Sequence, residues 1–443
     1  MRCKYMAALC CLVLGALAAH AQTDSNPDAM FDDPSALTAT QATQVKKDQQ
    51  NDFLQSTGAT VGGIFTGQFI SSWSWQNGVP HGLQAPDTST FTPDLEADIW
   101  IDSRPQKDFR VFGKGTVEYP FAGVDSTGLQ DVRMDELFTD FTLGIIQVRA
   151  GKQNIKTGVG YFFSPADVFS LNTIDLSNPE KDLEGPLAIK AQISSGTTNW
   201  YLYADMNDVS APSDIVWVPR LEFVLGDWEL GWESYLGEGK APRLISTTTT
   251  SVGDFSLFGE AVLSYGSDKT FVVGNTSVKS GFQTQTYNST FYFQGTAGFK
   301  YDNSELDFVT ISIRAQYYYN GQGYTDDTEL GNAIALEGSG QSPLTISDLT
   351  YWGVHNAAVS CDFSKIGKGD FGLRGLWVAD LSDGSGYVYP RVYFKYGNNF
   401  CISLGPQWNY GPSSSYYSYN GDKFSLNLEI DVGGGGMLPR GDF

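Results

Sequence analysis

The chain has 443 residues, with 28 Lys and Arg against 50 Asp and Glu, a formal charge of −22, and it holds 28 Phe, 23 Tyr, 10 Trp and 49 Gly. Aromatic and glycine enrichment over this length points to one large β architecture rather than several mixed domains. The acidic excess repels phosphates, which excludes a nucleic-acid partner, and no apolar run reaches the ~18 residues that a transmembrane helix needs.

Residues 1–21, MRCKYMAALCCLVLGALAAHA, are read as a secretory signal peptide. Arg2 and Lys4 form its basic start, Ala7 to Ala18 an apolar stretch too short to span, and Ala19-His20-Ala21 a small-x-small cleavage site before Gln22. A lipoprotein reading at Cys10 fails because the apolar run continues past that cysteine. Cys3, Cys10 and Cys11 leave with the signal. Cys361 and Cys401 fall three strands apart, a separation of about three times 4.8 Å. That is beyond the ~7 Å Cα limit for a bridge, so they are expected unpaired. Residues 22–58 are polar and weakly periodic, a leader on the periplasmic side.

From residue 59 to 443 the period is two. Val61, Phe65, Phe69 and Trp73 alternate with Gly62, Thr66, Gln68, Ser72 and Ser74. Leu95, Ala97, Ile99 and Ile101 oppose Glu96, Asp98 and Asp102, and Phe109, Val111 and Val117 oppose Arg110, Lys114 and Glu118. Later, Ile311, Ile313, Ala315 and Tyr317 oppose Thr310, Ser312, Arg314 and Gln316; at the end, Leu426, Leu428 and Ile430 oppose Asn427, Glu429 and Asp431. Such strands have one face in lipid and one in water. A soluble sandwich also alternates, and the connections decide between them. Tight links such as Gly226-Asp227 and Asn398-Asn399 alternate with long ones such as 266–289 and 320–347. Short periplasmic turns and long external loops mark a transmembrane up-and-down antiparallel β-barrel, all-β, of about 18 strands. The alternative is about 16, if the weak segment 243–250 and its partner belong to a loop. Closure is required, because an open edge in hydrocarbon leaves backbone groups unpaired.

Signal peptide, alternating strands with aromatic girdles, and the terminal Phe443 together resemble the Gram-negative-type outer-membrane porin superfamily. The sharpest match runs from RAGKQ, ending at Gln153, through GVGYFFSPADVFSLNTIDLSNPEKDLEGPLAIK. In that family a strand end of the form GxQ leads into a long loop, and an EGP or RGP segment re-enters the wall. Two departures stand beside it. GGGGMLPRGD separates Val432 from Phe443, so the terminal Phe does not end an alternating strand. No sugar, phosphate or fatty-acid signature is present. The resemblance implies a channel for passive diffusion of small hydrophilic solutes, in the outer membrane of a diderm bacterium. Its partners would be outer-membrane lipids, small hydrophilic solutes, the barrel-assembly machinery and copies of itself in a homo-oligomer.

The chemistry agrees with a non-enzyme. Beyond the signal, the histidines are His81, in a loop with no Ser or carboxylate at a telling spacing, and His355, which falls on the lipid parity with Tyr351, Gly353, Ala357 and Val359. There is no His/Cys cluster and no calcium loop, so no metal or cofactor is expected. The inward charges are the informative set. Arg110, Lys114, Arg149, Lys190, Arg220, Arg314, Arg374, Arg391 and Lys395, with Glu222, Glu229, Glu233 and Glu260, fall on the polar parity and are expected to line the pore. A barrel this wide cannot be filled by side chains alone. The acidic group at 222–260 and the basic group at 314–395 are expected to form opposed sectors with a transverse field.

The connection 154–186 is the expected constriction. Left in water, its aromatic stretch would be costly at about 25 cal/mol per Å². Folded inward, Tyr161, Phe162 and Phe163 would pack on the wall and leave Asp167, Asp175, Lys181, Asp182 and Glu184 toward a narrowed pore. An external lid packed on neighbouring loops is the other placement. A second function follows from the long Tyr/Ser/Gly loops such as 410–421, a surface barrel acting as an adhesin or binding protein.

Overall fold

The computed structural model describes residues 58–435, apart from 81, 83, 107, 121–130, 172–173, 175, 177–183, 208, 304–305, 307, 339–343, 345, 398 and 420–422. The signal segment, the leader up to residue 57, His81, Asp175, Lys181, Asp182 and the C-terminal tail lie outside the described residues; Gly58, the last leader residue, begins the first strand.

In chain order the strands are β1 (Gly58–Trp75), β2 (Thr88–Gln106), β3 (Phe109–Pro120), β4 (Asp131–Leu143), β5 (Ile146–Lys152), β6 (Leu187–Ser195), β7 (Thr198–Asp205), β8 (Val216–Leu225), β9 (Trp228–Tyr235), β10 (Arg243–Val252) and β11 (Phe255–Tyr265). After them come a small hairpin, β12 (Phe271–Gly274) and β13 (Phe282–Gln285), and then β14 (Phe291–Asn303), β15 (Thr310–Asn320), β16 (His355–Ser364), β17 (Phe371–Asp380), β18 (Ser385–Tyr396), β19 (Phe400–Tyr410) and β20 (Phe424–Gly435). Two helices, α1 (Leu330–Gly338) and α2 (Ile346–Leu349), lie between β15 and β16. All strands but β12 and β13 form one 18-stranded sheet. Each wall strand pairs antiparallel with its neighbours, and β1 pairs with both β2 and β20, with Gly67 opposite Leu95 and Val432. The sheet is a closed transmembrane barrel.

Closure satisfies the backbone, and alternation divides the side chains. Leu244 and Phe293 are 58% and 50% exposed on the outer face, whereas Ile245 beside Leu244 is 1% exposed on the inner one. The count corrects the 16-strand alternative, because β10 pairs along its length with both β9 and β11. Its outward residues include Ser246, Thr248 and Thr250, flanked by Trp232, Leu230 and Trp228 of β9. Hydroxyls beside large neighbours leave the segment with a weak apolar signal despite its place in the wall.

At one end the links are tight. Gly196 and Gly226 take left-handed φ of 60° and 64° as first residues of two-residue turns, a conformation that other residues rarely adopt. At the other end the connections are long, and β12–β13, α1 and α2 pack there around Val272, Leu330, Ala333, Leu344 and Trp352. A register shift opposite Lys114 and Gly115 places a bulge in β4, and Asp135 there accepts a hydrogen bond from the Thr116 hydroxyl. Cys361 and Cys401 are both free thiols.

Candidate functional site: the inward loop and the charged inner wall

The connection between β5 and β6 is drawn closed at its neck. The Gln153 N–H donates to the Pro186 carbonyl at 3.2 Å, and the Gln153 side-chain amide donates to the Ala188 carbonyl at 2.9 Å. A Cβ on Gly185 would lie 1.9 Å from the Gln153 carbonyl oxygen, which explains the glycine of the EGP segment. Glu184 belongs to this neck. It accepts from Lys152 Nζ at 2.5 Å, and its carbonyl accepts from the Leu171 N–H at 3.0 Å.

Beyond the neck the chain crosses the inside of the barrel. Ile155 and Phe169 pack on Tyr201, Tyr203, Val216 and Val218 of β7 and β8. Ala166 packs on Ile245 and Val262 of β10 and β11. Phe162 and Phe163, both 0% exposed, pack on Tyr318, Ala358, Leu376, Val378 and Tyr389 of β15 to β18. Phe163 stacks on Tyr318 with centroids 5.5 Å apart. Tyr161 lies beneath the Arg314 guanidinium at 4.3 Å. These wall residues are apolar on the inner parity because the loop, not water, covers them.

Two wall side chains hold the loop backbone. Glu260 Oε1 accepts from the N–H groups of Val159 and Gly160, each at 2.6 Å, and from the Ser164 hydroxyl at 2.9 Å; its Oε2 accepts from the Ala166 N–H at 2.9 Å. Gln316 Oε1 accepts from the N–H groups of Tyr161 and Phe162 at 3.0 and 2.7 Å, and its Nε2 donates to the Phe163 carbonyl at 2.5 Å. A side chain at Gly160 would strike that carbonyl at 2.0 Å, so the run Gly158-Val-Gly160 permits the approach. Asp167 accepts from the Ser170 hydroxyl at 2.6 Å; burial pushes its carboxyl above the ordinary range, against that bond and the Lys156 charge.

The expected pore-lining charges separate into two groups. Arg220, Glu222, Glu233 and Glu260 are buried, at 6%, 5%, 2% and 5% exposure. Arg220 donates to Glu222 at 2.6 Å and to Glu233 at 2.9 Å, and Glu229 accepts from Thr249 at 2.9 Å. The other group is less covered. Arg110 forks onto Asp102 at 2.9 and 3.0 Å, Arg149 onto Asp140 at 2.7 and 3.2 Å, and Lys114 lies 3.6 Å from Asp98. Arg374 pairs with Asp362 at 2.7 Å and Arg391 with Glu429 at 3.3 Å. Lys190 sits over the Tyr201 ring, and Lys395 of β18 is partly buried opposite Cys401. Opposite charges therefore alternate locally around the wall. Both expected sectors hold counter-ions, Arg220 among the glutamates and Asp362 and Glu429 beside Arg374 and Arg391, which shortens the range of the field between them.

Sequence reasoning missed an inward aromatic patch. Trp100, Phe112 and Phe138 are buried together on the inner face, with the Arg149 guanidinium 4.2 Å over Phe138. Their parity with Asp98, Arg110 and Asp140 was the available signal. His355 lies on the outer face, hydrogen-bonded through Nδ1 to the Tyr317 hydroxyl at 2.6 Å. Among the described residues, no group of three or more His, Cys, Asp and Glu could hold a metal ion.

No family model matches the sequence, and no curated protein matches it. Solved structures do match. Acinetobacter baumannii OccAB1 superposes at a TM-score of 0.50 with 10% identity, covering 85% of this chain and 96% of that one. A double mutant of the Rh. blastica porin matches at 0.42 with 10% identity, covering 85% of this chain and 99% of that one. At this identity the likeness to OccAB1 speaks for fold alone. Closed wall, short and long ends, and the superposition together place the chain among the porin-like transmembrane β-barrels.

Proposed function

We propose that the protein is an outer-membrane channel for passive diffusion of small hydrophilic solutes in a diderm bacterium, with residues 154–186 as its constriction. The observation that carries this reading is the grip of Glu260 and Gln316 on the backbone of residues 159–166 inside the barrel. A loop held by inward wall residues occupies cross-section that would otherwise conduct. The remaining inner wall, with its Arg110–Asp102, Arg149–Asp140 and Arg391–Glu429 pairs, is polar and suits hydrated solutes of either sign. The apolar outer face suits lipid and self-association. The core around Val272, Leu330 and Trp352 and the Ser414–Asp327 bond draw the long connections together at one end of the barrel, which favours a channel mouth over an adhesin.

Deleting residues 159–171 from the folded barrel should raise single-channel conductance severalfold in a planar bilayer. Unchanged conductance in a heat-modifiable, correctly folded deletion protein would place the bottleneck elsewhere.

The docking of this loop should also depend on pH through Asp167. Its carboxyl is raised in the folded state by burial. The proton thus favours the docked loop fully below the ordinary Asp value of about 3.9, and this contribution is lost as pH rises through the raised value. Open-state dwell times should therefore be shorter in mild acid than at neutrality. Asp167→Asn should keep the loop docked and flatten that difference. An Asp167→Asn channel that retains the full pH response would assign it to another group.

A further inference from the structure

The long external connections build a cap with a core of its own. Tyr324 and Trp352 stack at 3.9 Å with an interplanar angle of 6°, and Trp352 Nε1 donates to the Asp326 carbonyl at 3.0 Å. The Ser414 hydroxyl donates to Asp327 at 2.7 Å, tying the β19–β20 connection to the β15–β16 one. The cap core and the cluster around Phe162 and Phe163 meet at two dipeptides, and each dipeptide sends one ring to either side. In the first, Trp352 lies in the cap core while Tyr351 lies against the loop. Tyr351 is edge-on to Phe163 at 5.1 Å and 77°, and its hydroxyl donates to the Phe162 carbonyl at 3.2 Å. In the second, Tyr416 packs in the cap and Tyr417 in the loop cluster, with their rings 5.0 Å apart.

The first link carries backbone strain. Tyr351 has φ of 51°, in the left-handed region that a bulky aromatic residue rarely adopts. The Asn320 side-chain amide holds it there by donating to the Tyr351 carbonyl at 2.9 Å. Strain of this kind persists only where its surroundings over-determine it. Here it turns two successive rings into two different clusters.

We propose that the cap and the constriction loop form one gating unit, in which displacement of the cap at the outer mouth, transmitted through Tyr351 and Tyr417, frees Phe162 and Phe163 from the wall and widens the pore. The inference rests on the constriction reading of residues 154–186. A loop that leaves the wall forfeits its contacts with Tyr351 and Tyr417, so a seated cap biases the loop downward, and by reciprocity a docked loop steadies the cap. The residues in contact form the physical route for that coupling.

The test uses full-length barrels in planar bilayers, each checked for heat-modifiable folding. Trp352→Ala removes the cap-core ring without touching the loop cluster, and should raise the frequency of opening steps at least about tenfold, a fraction of the more than about 100-fold that loss of a buried Trp side chain can amount to. The paired substitutions D327C and S414C, in a chain with Cys361 and Cys401 replaced by serine, lock the cap when oxidised. The locked channel should open at least about tenfold less often, with recovery on reduction. If Trp352→Ala fails to assemble, the disulfide arm decides alone. Opening frequencies unchanged by cap locking, in a protein whose 159–171 deletion does raise conductance, would overturn the coupling and leave the constriction standing. A 159–171 deletion with unchanged conductance would remove the constriction reading, and the gating unit with it.

Discussion

Channels carrying Glu260→Ala should conduct severalfold more current than the parent while the barrel itself stays folded. The carboxylate accepts three backbone N–H groups and one hydroxyl from residues 159–166 at 2.6 to 2.9 Å. Hydrogen bonds to a charged acceptor contribute about 1.5–3 kcal/mol each, and alanine offers none of those donors a replacement. Several kcal/mol of loop docking are lost at once. The wall is affected far less, because Glu260 sits in mid-strand, opposite Thr247 and Thr296, and its backbone pairing does not depend on the side chain. Gln316→Ala should act in the same direction and more weakly, since a neutral amide is a poorer acceptor. Glu260→Gln should fall between, because the amide keeps an acceptor oxygen but turns an NH2 group toward other donors. Conductance measured with protease nicking within 154–186 separates the outcomes. Parent-like conductance with an un-nicked loop in Glu260→Ala would mean that apolar packing of Phe162, Phe163 and Phe169 holds the loop without the clamp.

Much of this arrangement was legible in the sequence, and the limits are physical. Period-two alternation places Leu244 outside and Ile245 inside without knowledge of partners, because neighbouring residues of a strand must face opposite ways. The apolar stretch at 159–171 could be assigned inward because its exposure would be costly. Its anchors could not be named. Glu260 and Gln316 lie 101 and 155 residues from the loop residues they hold, and they look in sequence like any other inward polar residue. For the same reason Arg220 and Arg110 look alike, although a loop covers the first and not the second. Alternation tells which face a charge occupies, not whether that face is wet. The Trp100–Phe112–Phe138 patch was hidden because inward positions were read as polar, and the bulge near Asp135 shifts the parity of β4 partway along the strand.

Arg220→Leu should be the most destabilising single substitution in the wall. Its guanidinium bonds Glu222 at 2.6 Å and Glu233 at 2.9 Å, and all three side chains are nearly sealed from water. Among the described residues, Glu222 Oε2 and Glu233 Oε1 have no hydrogen-bond partner, so both carboxylates rely on the one cation. Gly231 makes room for it, since a Cβ there would lie 3.0 Å from an Arg220 terminal nitrogen. Removing the arginine leaves two like charges in a poorly solvated site, and breaking a buried pair in this way costs about 3–5 kcal/mol. The heat-modifiability transition on gels should move to markedly lower temperature, and loop docking should weaken with it, because Asp167 lies within electrostatic reach of Arg220. The control is the triple variant Arg220→Leu, Glu222→Met, Glu233→Met. Replacing an entire buried ionic cluster by hydrophobic residues of similar volume is often close to neutral, so the triple variant should recover most of the lost stability. If it unfolds as early as Arg220→Leu alone, the arginine acts through the volume it fills beside Gly231 and not through its charge.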